Sequence, residues 1–338
     1  MSRPLAHGGR LRQAREMFPD APLPFVDLST GINPHPYPLP PLPDSAFSRL
    51  PEPEEVAALE QAAARAYGVA DPAMVVAAPG TQALIQWLPR LFPQPAVAIL
   101  GPTYAEHAGA WTASGARIVA ASAPAAFAEA PAAVLCNPNN PDGRRWPAAA
   151  LLDAAPRDLL VVDEAFADLE DDAASLTCAP MLPHPAVIAL RSFGKTYGLA
   201  GVRLGFALAA PERAAMLRAA LGPWAVSGIA IAAGRAALAD VAWRDAMRVR
   251  LRQEAAALDA CLAAAGLDVV GGTLLFRLAE HDNAQALFRR LGGAGILVRR
   301  FDDQPRRLRF GLPGTPDAWA RLRAALANQT APLQSVRQ

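Results

Sequence analysis

Seven apolar runs of five or six residues, separated by helical segments, constrain the fold more than any other feature of this sequence. Such runs are typical of strands buried on both faces of a sheet. Helical stretches such as "TQALIQWLPRLF" lie between several of them. The alternation predicts an α/β domain with a mostly parallel, doubly wound sheet covered by helices. The predicted strands span residues 74–78, 96–100, 116–121, 132–136, 158–163, 186–190 and 204–209.

The pattern changes on either side of this region. From about residue 226 a long helical run leads to apolar segments at 273–278, 295–300 and 306–310 with two further helices, which predicts a smaller α+β domain. Residues 19–53 are dense in proline and favour extended backbone, either an arm over a surface or a linker. The predicted division is an N-terminal arm (1–53), a large domain (54–235) and a small domain (236–330).

Composition excludes several classes of function. Lys+Arg 32 against Asp+Glu 31 gives a net charge of +1, so there is no strong basic field for nucleic acid or an anionic membrane. No 18-residue stretch lacks both charge and proline, so a membrane span is not expected. The three cysteines lie far apart, which indicates neither a disulfide framework nor a metal site. The first residues contain no apolar signal region, and we expect a cytoplasmic protein.

Polar residues follow the predicted strands at their carboxyl ends, where doubly wound sheets bind ligands. Gly80 and Thr81 open a helix whose free amides can bind an anion. Tyr104 follows the next strand, the carboxylate of Asp163 follows "LLVV", and Lys195 lies in "RSFGK". Each feature alone is commonly a cap, a turn or a surface charge. Together with the asparagine turn "NPNNPDG" after the strand at 132–136, they offer an anion seat, an aromatic ring, an amide, an acid and an amine at one edge.

The chemistry that needs this combination is that of pyridoxal 5′-phosphate. Lysine is scarce in the chain, where nearly all positive charge is arginine, so Lys195 indicates a need for an amine that can be neutral and nucleophilic. The cofactor requires a phosphate anchor, a ring platform, a donor to its phenolate oxygen, an acid for its pyridine nitrogen and a lysine for its aldehyde. The strand ends supply all five.

The segments "NPNNPDG", "VVDEAF" and "SFGKTYGLAGVRLGF", in this order, resemble the class I/II aminotransferase superfamily, the fold type I enzymes of pyridoxal phosphate. The resemblance covers nearly the whole chain. It implies that Lys195 carries the cofactor's aldehyde and later a proton, that Asp163 pairs with the pyridine nitrogen, that Asn140 donates to the phenolate oxygen and that Tyr104 stacks on the ring. It also implies that the cofactor phosphate is held by Gly80, Thr81, Ser192 and Arg203.

The N-terminal "AHGG", the segment "DLSTGINP" and the shortened C-terminal part resemble a narrower branch, the L-threonine-O-3-phosphate decarboxylases of cobalamin biosynthesis. These are relatives of histidinol-phosphate aminotransferases. The resemblance implies decarboxylation of L-threonine O-3-phosphate to (R)-1-amino-2-propanol O-2-phosphate by a homodimer. A substrate with two anions needs two anion sites, which fix the bond that is broken. The implied substrate-binding residues are His7, Gly8, Gly9, Gly31, Asn33 and Arg309.

Three positions depart from the superfamily pattern. Phe166 stands where transaminases commonly have tyrosine, which removes one donor to the phenolate oxygen and favours the decarboxylase branch. Leu50 stands in place of a tyrosine that reaches the partner subunit's cofactor phosphate in histidinol-phosphate aminotransferases, so that contact is not expected here. Asp142 replaces a threonine in the turn after Asn140, and both residue types form turns well.

Two alternatives remain open on the sequence. One is a phosphate-recognising aminotransferase, such as that for histidinol phosphate. The other is a non-catalytic aminotransferase-like module, such as the sensor half of a regulator, although the near-neutral chain shows no basic helix-turn-helix segment. Carbon dioxide release without 2-oxoglutarate separates the first alternative from the decarboxylase, and turnover excludes the second.

Overall fold

The computed structural model describes residues 8–327 of the chain. Within this range the strands are β1 (Val26–Leu28), β2 (Val75–Ala78), β3 (Ala96–Leu100), β4 (Arg117–Ala121), β5 (Ala132–Cys136), β6 (Leu159–Asp163), β7 (Val187–Arg191), β8 (Gly205–Ala209), β9 (Asp268–Thr273), β10 (Phe276–Glu280), β11 (Ile296–Arg300) and β12 (Arg307–Gly311). The helices are α1 (Leu11–Met17), α2 (Ser45–Ser48), α3 (Pro53–Tyr67), α4 (Thr81–Leu91), α5 (Ala105–Ala113), α6 (Ala148–Asp153), α7 (Ala173–Leu176), α8 (Phe193–Thr196), α9 (Pro211–Leu221), α10 (Gly228–Ala239), α11 (Val241–Ala264), α12 (Ala284–Gly293) and α13 (Pro316–Ala327).

The chain forms two compact units. The large unit comprises residues 35–248, and the small unit comprises the described residues of 1–34 and 249–338. These divisions lie at 34/35 and 248/249, whereas the sequence predicts boundaries at 53/54 and 235/236. The small unit combines residues from both ends of the chain, a pairing that composition does not reveal. Between residues 8 and 327 the helices are all too short or too polar to traverse a membrane.

The large unit is built on a seven-stranded sheet with the order β2-β8-β7-β6-β5-β3-β4. Five strands, β3 to β7, pair in parallel, while β8 is antiparallel to both β7 and β2. The predicted α/β class is confirmed, and each of the seven predicted strands is present with its ends shifted by at most one residue. Most of these strand residues are fully buried, because helices cover both faces.

The helix α3 shows how local sequence sets the boundaries of an element. Glu52 and Glu55 form a capping box in which each side chain accepts a hydrogen bond from the other residue's backbone amide. Gly68 ends the helix with a φ of 71°, a left-handed conformation that glycine adopts without strain. The sequence alone indicates this helix, because "EPEEVAALEQAAARAYGV" has apolar residues at helical spacing, acids in its first turn and Gly68 just past its end.

The small unit contains a five-stranded sheet with the order β1-β11-β12-β10-β9. The apolar segment 273–278 does not form one continuous strand, because Thr273 ends β9 and Phe276 begins β10. The Thr273 hydroxyl accepts a hydrogen bond from the amide of Leu275 at 3.1 Å and so closes the turn between the two strands. Leu274 and Leu275 are buried in that turn. Their apolar character therefore reflects burial and not strand conformation.

Candidate active site

The strands of the large sheet bring the predicted cofactor residues to one edge. β2 leads to Gly80, β5 leads to Asn140, β6 ends at Asp163 and β7 leads to Lys195. β8 runs in the opposite direction between β2 and β7, so the residue that lies at this edge is one that precedes it, Arg203. Because β8 runs in the opposite direction, the positively charged Arg203 lies at the edge where the parallel strands end.

The predicted phosphate seat, made of Gly80, Thr81 and Arg203, lies where α4 begins. Gly80 precedes α4 with a φ of 84° and supplies no side-chain cap. A Cβ built on Gly80 would lie 2.7 Å from Nη2 of Arg203, and one on Gly205 would lie 2.7 Å from the amide nitrogen of Thr81. The first amides of a helix have no intrahelical acceptor and carry a positive partial charge. These amides and the Arg203 guanidinium are donors of the kind that bind a phosphate, as the sequence predicts for this position, and Ser192 precedes α8 at the same edge.

Replacing Gly80 with alanine is expected to weaken cofactor binding by roughly tenfold or more, because the new methyl group displaces the Arg203 guanidinium and forces a strained φ. The dissociation constant for pyridoxal phosphate, measured by fluorescence or dialysis, tests this. Gly201→Ala is the matched control, since a Cβ there finds no atom within 4 Å and should leave binding unchanged. Equal binding by both variants would contradict the phosphate seat.

Asp163 and His107 form a buried pair. Nε2 of His107 lies 3.0 Å from Oδ2 of Asp163, and the amide of Ala165 donates to the other carboxylate oxygen at 3.2 Å. Burial is the largest effect and disfavours the charged form of His107, but the hydrogen bonds and charges of Asp163 and Cys136 together outweigh it and raise the pKa of His107 to about 10. Burial also disfavours the Asp163 carboxylate, but the hydrogen bond and charge of His107, followed by the charge of Lys195 and the Ala165 amide, together overcome it and lower the pKa of Asp163. The carboxylate therefore stays ionised at neutral pH.

This pair predicts a pH-dependent stability. The pKa of His107 is raised from 6.5 to about 10, so its contribution is complete below pH 6.5 and is lost as the pH rises toward 10. The pKa of Asp163 is lowered, so its contribution is present above pH 3.8 and is lost as the pH falls through its folded value. Urea unfolding at pH 7 and at about pH 10.5 should show a larger loss of stability in the wild type than in His107→Gln. An equal loss in the two proteins would contradict the ion pair.

Lys195 lies on α8, the single helical turn that follows β7. Its Nζ lies 4.0 Å from the centroid of the Phe166 ring, so an aromatic face borders the amine. Phe166 is buried and belongs to the segment that follows Asp163. The phenylalanine that departs from the transaminase pattern therefore contacts the lysine directly.

Tyr104 immediately precedes α5. Its ring stands edge-on to that of His107 with centroids 6.1 Å apart, and its hydroxyl donates to Oε1 of Gln82 at 3.1 Å. Gln82 in turn donates to Glu106 at 3.1 Å. Burial and, after it, the charges of Glu106 and Asp163 raise the pKa of Tyr104 to about 12, so the phenol remains neutral. A neutral ring fixed at both ends is a suitable platform for a flat cofactor.

The turn after β5 contains three asparagines with different surroundings. Asn137 donates to the backbone oxygens of Trp146 and Leu176, and Asn139 donates to Pro102 and to Asp142. Both side chains hold the turn in place. Asn140, the predicted donor to the phenolate oxygen, is half-buried on the same turn.

The small unit groups most of the predicted substrate-binding residues around β1 and β12. Arg309 is buried in β12 and donates to the backbone oxygen of Ser29 at 2.9 Å. A Cβ on Gly8 would lie 2.3 Å from the same oxygen, and the Gly9 amide donates to the Ser29 hydroxyl at 2.8 Å. That hydroxyl donates to Asp27. Gly31 and Asn33 are buried just beyond β1, whereas His7 lies outside the described residues.

Sequence reasoning missed His107, Gln82 and Ser29. His107 follows Tyr104 by three residues at the start of a helix, a spacing that places both side chains on one face. Gln82 follows Thr81 directly. The signals were present, but a histidine on an apolar helix and a glutamine in a first turn are each common without function. Their hydrogen bonds to Asp163 and Tyr104 distinguish them here.

Comparisons with known proteins show the family and the fold of the chain. A family model described as "Aminotransferase class I and II" matches residues 42–326. The chain is similar to threonine-phosphate decarboxylase of Sinorhizobium sp., with 43% identity over 94% of this chain and 96% of that protein. It is similar to threonine-phosphate decarboxylase of Pseudomonas aeruginosa, with 40% identity over 95% and 97%. Among solved structures, histidinol-phosphate aminotransferase from Sinorhizobium meliloti in complex with pyridoxal-5'-phosphate matches with a TM-score of 0.81 and 25% identity, over 94% of this chain and 93% of that chain.

Proposed function

Since the chain belongs to the aminotransferase class I and II family, whose members are pyridoxal phosphate enzymes, we propose that it decarboxylates L-threonine O-3-phosphate. The product is (R)-1-amino-2-propanol O-2-phosphate, which serves cobalamin biosynthesis, and the enzyme acts as a homodimer. The observation that carries this proposal is the similarity to two threonine-phosphate decarboxylases over almost the whole length of each.

The cofactor is pyridoxal phosphate, and the large unit offers a matching group for each of its parts. The seat between Gly80 and Arg203 fits the phosphate, because a side chain at Gly80 would fill it. Asp163 fits the pyridine nitrogen, Asn140 fits the phenolate oxygen, and Tyr104 fits the ring face. Lys195 is the only lysine in the sequence, so no other lysine can carry the aldehyde.

When bound, pyridoxal phosphate supplies a conjugated ring that withdraws the electron pair left at Cα when a bond to that carbon breaks. The ionised carboxylate of Asp163, held by His107, keeps a proton on the pyridine nitrogen and so strengthens this withdrawal. Lys195 Nζ holds the proton that Cα receives after carbon dioxide leaves. Phe166 lies beside Nζ, where it excludes water and offers no competing proton.

The substrate carries two anions, and the small unit offers groups for both. Burial and, after it, the charge of Arg299 lower the pKa of Arg309 to about 10, so a bound anion offsets the cost of this buried cation. We assign one substrate anion to Arg309. The other anion, and the orientation of the substrate, we assign to His7, Gly8, Gly9, Gly31 and Asn33.

Arg309→Ala is expected to raise KM for threonine phosphate by about 100-fold, because it removes a charge-assisted contact to an anion. Steady-state kinetics with the purified holoenzyme measure this. Arg306→Ala is the control, since that side chain is exposed and pairs with Asp282. If both variants keep the wild-type KM, Arg309 does not bind the substrate.

The function itself is tested by incubating the holoenzyme with a panel of phosphorylated amino acids and measuring carbon dioxide. Release from L-threonine O-3-phosphate without 2-oxoglutarate is the expected result. The second candidate is a histidinol-phosphate aminotransferase, which the fold match at a TM-score of 0.81 favours. Amino transfer from histidinol phosphate to 2-oxoglutarate, with no carbon dioxide from threonine phosphate, would replace the proposal with this candidate.

A further inference from the structure

The helix that carries Lys195 is too short to be stable without contacts to the rest of the protein. α8 contains only four residues, and a single helical turn is unstable without tertiary contacts. One side of the turn is fixed by packing, because a Cβ on Gly194 would lie 2.8 Å from the Cα of Ala200. The aromatic ring of Phe193 stacks on that of Tyr197 with centroids 4.6 Å apart. Thr196 adds a polar contact to the turn.

Asp168 joins Thr196 to a buried arginine. The Thr196 hydroxyl donates to Oδ2 of Asp168 at 3.0 Å, and Arg191 pairs with the other carboxylate oxygen. Arg191 also lies 3.0 Å from Glu164 through Nε and donates to the Thr177 hydroxyl at 2.7 Å. These side chains are almost completely buried. Arg191 is the last residue of β7. Its guanidinium is therefore shared by the carboxylates of Glu164 and Asp168, which follow β6.

Burying charged side chains costs desolvation free energy. The position of this network in the fold therefore indicates its role. Burial opposes the charge on Arg191, but the carboxylates of Asp168 and Glu164 outweigh it and raise the pKa of Arg191, so the guanidinium stays charged. Buried ion networks are weak sources of stability, and their best-attested use is to specify one arrangement. Here the arrangement joins the segment directly after Asp163, the last residue of β6, to the turn that bears Lys195.

We propose that Asp168 is a positioning residue for Lys195, acting through Thr196 and Arg191. It fixes the one-turn helix so that Nζ lies beside Phe166, at the same edge of the sheet as Asp163. This inference rests on the proposed role of Lys195 as the cofactor lysine and not on the identity of the substrate. It applies equally to a decarboxylase and to an aminotransferase.

The test compares holoenzymes of Thr196→Val, Thr196→Ser and wild type by visible circular dichroism of the bound cofactor, together with kcat and the melting temperature. Thr196→Val removes the hydrogen bond to Asp168 and leaves the ion pairs intact, which avoids the unfolding that Asp168→Asn risks. We expect it to lose at least about half of the dichroism per bound cofactor and to lower kcat by about 10- to 100-fold, because small displacements of a reacting group are costly. Thr196→Ser should retain both signals.

Thr273→Val is the matched control, since it also converts a buried threonine hydroxyl to a methyl group, outside this network. It should leave the dichroism of the cofactor unchanged. Wild-type dichroism and kcat in Thr196→Val would overturn the proposal, whether or not its melting temperature falls. A wild-type protein that binds no cofactor at Lys195 would instead overturn the proposed function, and this inference with it.

Discussion

Replacing Lys195 with alanine is expected to lower kcat by at least about 10⁴-fold, because the variant loses both the covalent attachment of the cofactor and the group that carries the proton. Folding should be retained, since the side chain is half-buried on the surface of a one-turn helix. Carbon dioxide release from threonine phosphate measures the loss, and circular dichroism in the far ultraviolet measures folding.

Lys195→Arg tests whether position 195 requires a nucleophilic amine or only a positive charge. Arginine keeps the positive charge near Asp163 but stays protonated at every accessible pH and cannot attack an aldehyde. The arginine variant should therefore be as inactive as the alanine variant. Activity in the arginine variant would mean that position 195 contributes only a charge, and activity in both variants would remove the assignment of Lys195.

Asp163→Asn is expected to lower kcat by about 10²- to 10³-fold, because an amide cannot hold the pyridine nitrogen protonated. It also removes the acceptor that raises the pKa of His107, so that buried imidazole should become neutral at pH 7. The rate of carbon dioxide release tests the first effect, and NMR titration of the His107 ring tests the second. Unchanged kinetics would mean that another acid faces the ring.

A double-mutant cycle of His107 and Asp163 tests whether His107 affects the rate only through Asp163. His107 contacts Asp163 and should act only through it, so His107→Gln should slow the wild type but have little further effect on Asp163→Asn. Additive losses would indicate that His107 contacts the cofactor or substrate by itself.

The sequence predicted the large sheet well, because its buried strands are bounded by polar turn residues. The strand ending at Asp163 and the glycine that ends α3 were located in this way. The reversed direction of β8 was not predictable, since an apolar run reads the same in a parallel and an antiparallel strand. That reversal is what brings Arg203 beside Gly80.

Long-range pairings were the least predictable part. β1 is only three residues long and pairs with β11, about 270 residues later in the chain, so no local pattern indicates the pairing. The contact between Arg309 and the backbone of Ser29 depends on the same assembly. Similarly, the Asp168 network was not apparent, because charged residues after a strand usually face solvent.

The most direct measurement is borohydride reduction of the holoenzyme followed by peptide mass spectrometry. Because Lys195 is the only lysine, the account predicts that the reduced cofactor is found on the peptide that contains residues 191–206, at Lys195 and nowhere else. Loss of the absorbance of the bound cofactor should accompany the labelling in a one-to-one ratio. A reduced protein with no modified Lys195, or with the cofactor attached only at the N-terminal amine, would contradict the central claim.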